Sequence, residues 1–136
     1  MKKKQLITLA VLVVVIVVSY YGVTGIKSFI DLKAYQKQVE EITISNVNLS
    51  KVEDGTYTGS YEVLWVAAEV KVNVKNHKIE GIELVKHKND RGASAEIIPS
   101  KVVVAQSLAV DIVSGATSSS KVILKAIENA LNSALK

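Results

Sequence analysis

Hydrophobic and polar positions divide this chain into stretches of different period. Residues 6–26 (LITLAVLVVVIVVSYYGVTGI) carry no charged side chain. A helix of that length reaches about 30 Å, enough to cross the hydrocarbon core of a bilayer. A helix also satisfies its own backbone groups, as a single span in lipid requires. Between residues 27 and 45 the pattern turns amphipathic. Phe29, Leu32, Tyr35, Val39 and Ile42 recur at spacings of three to four, with Lys33, Lys37, Glu40 and Glu41 between them. That spacing predicts a stalk helix.

Beyond residue 46 the period shortens to two. Asp54-Gly55 is a turn signal, and Tyr57 to Trp65 has the Thr, Tyr, Val and Trp content of a strand. Val70, Val72 and Val74 alternate with Lys71, Asn73 and Lys75, which predicts a half-buried strand. Asn76-His77 makes a turn, and Ile79, Ile82 and Leu84-Val85 supply a third strand, interrupted at Gly81. Short connections suggest an antiparallel meander. His87 to Gly92 (HKNDRG) reads as a polar loop, and Ala93 to Ile98 as one or two helical turns. Pro99 opens a helix that takes in Val102, Val103, Ala105, Gln106 and Leu108. Val110 to Val113 reads as extended. From Lys121 to Ala134 a helix buries Val122, Ile123, Ala126, Ile127, Ala130, Leu131 and Ala134 on one face. Strands first and helices after give an α+β domain: a small antiparallel sheet with packed helices, preceded by a transmembrane helix. The expected organisation is a basic flank and anchor at 1–26, a juxtamembrane stalk at 27–45 and a domain at 46–136. There is no internal repeat.

Charge and composition narrow the function. Three of the 17 basic residues are Lys2, Lys3 and Lys4, leaving 14 bases against 13 acids. The basic balance therefore belongs largely to the flank of the apolar run, and nucleic acid is not an expected partner. Lys2 to Lys4 should stay cytoplasmic, with Tyr20 and Tyr21 at the opposite interface and the domain extracytoplasmic. The apolar run is long and lacks a small-residue cleavage site, so an uncleaved anchor is expected over a signal peptide. The absence of Cys excludes disulfides, thiolate metal sites, iron–sulfur clusters and lipidated cysteine. Two His without a carboxylate cluster make no metal site.

The stretch richest in chemistry is Asp111 to Ser120 (DIVSGATSSS). Gly115 and Ala116 permit close approach to the backbone, and Ser114, Thr117, Ser118, Ser119 and Ser120 offer hydroxyls. The cluster opens the last helix, whose free N–H groups and dipole favour an anion such as phosphate. No acidic residue lies between Thr117 and Lys125, whereas Lys121 and Lys125 are basic. The plainer alternative is that Thr117 or Ser118 simply caps the helix. A Walker A loop is absent.

Asp111-x-x-Ser114-Gly115-Ala116-Thr117 resembles the flavinylation motif D-x-x-[ST]-G-A-[ST] of the FMN-binding domain family. That family includes the flavoprotein subunits of sodium-pumping and Rnf-type respiratory complexes and small membrane-anchored extracellular flavoproteins. Asp54-Gly55-Thr56-Tyr57-Thr58-Gly59 is similar to the family's opening D-G-x-Y-x-G. Val70 to Val74 followed by Ile79, then His87, Arg91, Gly92, Ala95-Glu96 and Gln106-Ser107, extend the resemblance over residues 50–134. It implies FMN joined through its phosphate to Thr117 by a flavin transferase that uses FAD and Mg²⁺ and releases AMP. Asp111 would be read by that transferase. Ser114, Gly115, Ala116 and Ser118 would surround the phosphate. Many relatives carry an E-T-P-G-like sequence near the flavin ring where this chain has Lys88-Asn89-Asp90-Arg91-Gly92. His87, Arg91 and Gly92 are the expected ring-side residues, with Tyr61 and Trp65 as further aromatic candidates; His77 has no expected role. No catalytic residue is implied.

The resulting expectation is an anchored extracytoplasmic electron carrier between a membrane redox donor and an extracytoplasmic acceptor. Two alternatives remain: the flavin-carrying subunit of an anchored reductase, and an anchored binding module without flavin.

Overall fold

A computed structural model describes residues 2–135; Met1 and Lys136, the last residue of the expected domain, lie outside the described residues. The chain divides into two compact units, Met1–Lys37 and Gln38–Lys136.

The first unit is helical throughout its described length. Helix α1 runs Lys2–Glu41, so the apolar stretch and the amphipathic one form a single helix. No proline interrupts them, and a change in side-chain pattern alone does not stop a helix. The helix is long and apolar enough to cross a membrane. It ends four residues before the expected boundary, and Ile42 to Ser45 are not helical.

In the second unit three strands form an antiparallel meander in the order β1 (Gly55–Val63), β2 (Val66–Lys75), β3 (Lys78–Lys88). Both hairpin loops hold two residues. Asn76 and His77 adopt φ of 52° and 59°, the positive pair that a type I′ turn requires. Asp54 Oδ1 accepts from the Asn76 N–H at 2.7 Å, and His77 Nδ1 lies 3.1 Å from the Val52 carbonyl. A short 3₁₀ turn, Leu49–Lys51, precedes the sheet.

One sheet face is apolar and covered. Val66, Ala68, Val70, Val72 and Val74 of β2 are buried against helix α3 (Thr117–Ser133). Every residue of the expected helical face, from Val122 to Ala134, is buried. Gly59 lets the helix approach: a Cβ there would lie 2.1 Å from the Ala126 carbonyl oxygen. The opposite face is polar, with Thr56, Thr58, Glu62, Lys71 and Asn73 exposed. Helix α2 (Ile98–Ala105) packs on β3.

Several expected boundaries move. Strand β3 continues to Lys88, so His87 and Lys88 belong to the sheet and the loop begins at Asn89. Gly81 does not interrupt the strand; it pairs with Asn73, and the register shifts lie at Asn73/Val74 and Glu69/Val70. Helix α2 stops at Ala105 because Gln106 takes φ 51°, outside the helical region, so Leu108 lies beyond it. Gln106 ties the end of α2 to β3. Its amide donates to the Ile79 carbonyl at 2.8 Å and accepts from the Ile79 N–H at 2.8 Å. Residues 110–113 form no strand. Helix α3 begins at Thr117, four residues before Lys121.

Candidate functional site

The serine-rich stretch divides into a turn and a helix start. The Ala116 N–H donates to the Val113 carbonyl at 3.0 Å, with Ser114 and Gly115 between them. Gly115 has φ 79°, the positive angle that a type II turn needs at its third position and that glycine supplies with least strain. A Cβ there would meet no atom within 4 Å, so the turn faces open space. The Val113 N–H donates to Ser120 Oγ at 3.0 Å, which ties the loop to the buried first turn of α3.

Thr117 and Ser118 are the first residues inside α3, and neither caps it. The N-cap is Ala116, and no side chain there bonds to the helix. The first turn also lacks an acidic residue. Thr117 is exposed, and the helix end is unusually short of negative charge for its dipole. Thr117 and Ser118 therefore do not act as the cap, and Thr117 stands exposed at an uncapped helix start with Lys121 one turn further on.

The strand that leads to the loop supports this start from below. The register shift at Glu69/Val70 pairs His87 with Ala68 and so places it on the helix-facing side of the sheet. Without that bulge Lys86 would take the position, because a one-residue slip reverses every side chain. His87 Nε2 lies 2.9 Å from Ser119 Oγ, and Nδ1 lies 3.0 Å from Glu96 Oε1. The carboxylate can only accept, so these partners assign the proton to Nδ1 and make Ser119 the donor to Nε2. Asn89 Nδ2, 3.2 Å from Nδ1, competes only in the other tautomer. The Gly92 N–H donates to Asn89 Oδ1 at 3.1 Å, and a Cβ on Gly92 would lie 1.9 Å from Ser119 Oγ. The loop therefore presses directly on α3.

The expected contact of His87 with a flavin ring does not match this arrangement. Its side chain is 3 % exposed and both ring nitrogens are engaged within the protein. Ser119, itself 2 % exposed, is equally closed to a ligand, so the Ser–His–Glu chain holds structure together and offers no reachable nucleophile. Gly92 is buried under the same contact. Arg91 is 93 % exposed, with Asp90 Oδ2 at 3.9 Å, a surface pair of little energetic weight. Trp65 is exposed in the β1–β2 loop and Tyr61 is half-buried.

Two surface hollows flank these elements. One, of about 480 Å³, is bordered by Ile97, Val104, Ala109, Val110 and Asp111, so it adjoins the motif. Val104 is 87 % exposed and Ile97 51 %. Sequence reasoning did not single these two out. The signal was there: the apolar runs Ile97-Ile98 and Val102-Val103-Val104 hold more hydrophobic residues than one helical face can bury. The other hollow, about 570 Å³, lies beside Glu62, Glu69, Lys86 and Lys88 and contains no motif residue. Among the described residues no cluster of His, Asp or Glu could hold a metal ion.

Residues 64–132 match the model of a family described as FMN-binding domain, a span of half the chain. A comparison with curated proteins gave no match.

Proposed function

The chain belongs to the FMN-binding domain family, and from that premise we propose that it is a membrane-anchored flavoprotein electron carrier whose FMN is esterified to Thr117. The observation that carries this reading is the Thr117 hydroxyl, exposed at the uncapped start of α3. A flavin transferase would supply FMN from FAD. In that transfer the Thr117 Oγ1–phosphorus bond would form as the pyrophosphate bond of FAD broke, with AMP as the leaving group and the hydroxyl proton passing to a base of the transferase.

The chain's own residues prepare that position. Gly115 turns the backbone so that Ser114 stands clear of the helix, and Ser120 fixes the loop through the Val113 N–H. The first-turn N–H groups of α3, left without a side-chain cap, would favour the phosphate. Ser114, Gly115, Ala116 and Ser118 would surround it. Asp111 is exposed and makes a handle for the transferase. Ile97, Val104 and Val110 give an apolar surface beside Asp111 of the motif, suited to the flat ring of a flavin.

FMN supplies the redox chemistry, and the protein sets its position and surroundings. A site at the protein surface suits exchange with a membrane donor and a second acceptor. Lys2 to Lys4 before the apolar helix favour a cytoplasmic flank, which supports an extracytoplasmic domain. There a covalent bond keeps the cofactor from being lost.

The test is the intact mass of the full chain, produced with and without a flavin transferase. The expected result is an addition of FMN less one water, mapped to the peptide that contains Thr117. An unmodified chain, beside a control protein modified by the same transferase, would overturn the proposal.

A further inference from the structure

Lys121 stands one helical turn after Thr117 on the same side of α3, since residues four apart face each other. Its ammonium has no carboxylate partner among the described residues. It donates instead to the Val39 carbonyl at 3.1 Å, in the last turn of α1. That carbonyl also accepts from the Ile42 N–H at 3.3 Å, the bond that closes the helix. α1 has no basic residue of its own in its last turn, so α3 supplies the cation that a helix C-terminus favours.

Further along α3 a second clamp holds the same segment. Lys125 Nζ donates to the Thr43 carbonyl at 3.0 Å and to Glu128 Oε2 at 3.0 Å, and that oxygen accepts from the Ser45 N–H at 3.3 Å. Glu128 is 5 % exposed, so its carboxylate is buried, and it is satisfied by Lys125 and the Ser45 N–H. The two clamps differ in kind. Lys125 has a carboxylate and keeps it. Lys121 holds only a carbonyl, and it sits near the positive end of the α3 dipole, where a cation is disfavoured.

We infer that Lys121 is the counter-charge of the phosphate on Thr117, and that it leaves the Val39 carbonyl when the cofactor is attached. This rests on the esterification of Thr117 proposed above. An anion at one position and a cation four residues later is the favourable order for a pair on a helix. A phosphodiester presents a full negative charge to the ammonium, whereas the Val39 carbonyl that it now holds offers only a partial one. The ammonium of a half-buried lysine therefore moves to the phosphate. Cofactor loading thereby loosens the last turn of α1 around Ile42 and leaves the Lys125–Glu128 clamp in place. The segment that joins anchor and domain then reports whether the cofactor is present.

The experiment is residue-resolved amide hydrogen exchange on the full chain in lipid nanodiscs, unloaded and FMN-loaded. Ile42 should exchange about two- to tenfold faster after loading, the effect of losing one ordinary hydrogen-bond contribution. Ser45, held by Glu128, should not change. Lys121→Met keeps the aliphatic stem and should show the fast rate before loading and no further rise after it. Thr117→Asp places a fixed negative charge at the same position without flavin and should speed Ile42 in the same direction. Unchanged Ile42 exchange in protein whose mass shows FMN on the Thr117 peptide would overturn the inference, as would a loading effect that persists in Lys121→Met. If no FMN is found on Thr117, the esterification reading fails by itself. Thr117→Asp then still decides the role of Lys121: a faster Ile42 keeps it, and an unchanged Ile42 overturns it.

Discussion

Ser119 donates its hydroxyl proton to His87 Nε2 across 2.9 Å, and that bond joins the end of the sheet to the start of the helix that carries Thr117. Both side chains are nearly excluded from water. Removing one partner leaves the other buried without its bond, which costs about 1–3 kcal/mol. His87→Ala should therefore destabilise the domain by at least that amount, with lost packing added. Ser119→Ala should cost less, because Nε2 loses a donor but no cavity of size is made. In a double-mutant cycle followed by urea unfolding the two effects should fall short of adding, with a coupling of about 1 kcal/mol. Simple additivity would mean that the two side chains do not interact in solution.

Thr117 presents the opposite case, a motif residue on which the fold does not depend. It is exposed and stands inside the helix where no cap bond is lost with it. Thr117→Ala should change stability by no more than about 0.5 kcal/mol, as for surface positions generally. The same change should abolish covalent flavin, and Thr117→Ser should retain it. Flavin fluorescence of the denatured protein on a gel, beside a melting curve, separates these outcomes. A melt shifted far downward in Thr117→Ala would show that the hydroxyl has a structural task after all.

Much of this architecture was legible because periodicity reports burial. The alternation at Val70, Val72 and Val74 gave the central strand, and the spacing from Val122 to Ala134 gave the buried face of α3. The motif was legible for another reason: Asp111-x-x-Ser114-Gly115-Ala116-Thr117 resembles a family pattern, and a cluster of hydroxyl residues opens the last helix. What the pattern hid was phase and termination. The bulge at Glu69/Val70 decides that His87, and not Lys86, faces the helix, and no local signal announces a one-residue slip. Helix α3 starts at Thr117, not Lys121, because Thr117 to Ser120 continue a helix whose inner face is already fixed by Ser119 and Ser120. Helix α1 outlasts its apolar stretch because nothing in residues 22–41 breaks it. The link from Lys121 to Val39 spans 82 positions, beyond any local pattern.

Gly59 tests whether close approach of helix and sheet is required. A Cβ there would come within 2.1 Å of the Ala126 carbonyl oxygen and 2.4 Å of the Ala130 nitrogen. Both are backbone atoms of α3, so the clash cannot be relieved by turning a side chain. Gly59→Ala should push the helix from the strand and destabilise the domain by about 1–3 kcal/mol or more, the usual range for overpacking. At the neighbouring exposed position Thr58→Ala should stay within about 0.5 kcal/mol. Equal melting temperatures for Gly59→Ala and the parent would show that α3 sits further from β1 than described.

Gln106 offers a test of polarity at constant shape. Its side chain accepts from the Ile79 N–H and donates to the carbonyls of Ile79 and Val103, at 2.7–2.8 Å. Gln106→Glu keeps the size and the acceptor but has no proton to donate while ionised. It would instead set a carboxylate oxygen against two carbonyl oxygens in a half-buried place. Gln106→Ala removes all three bonds and lets water reach the freed backbone groups. Gln106→Glu should therefore be at least as destabilising as Gln106→Ala near neutral pH, each by about 1–3 kcal/mol. Acid should narrow the gap, because a protonated carboxyl regains one donor. The sign follows from binding: the folded variant takes up that proton more readily than the unfolded chain, so its relative stability rises as pH falls. Urea titrations of the two variants at neutral and mildly acidic pH read the difference. A Gln106→Glu variant as stable as the parent at neutral pH would show that the amide donates nothing to Ile79 and Val103.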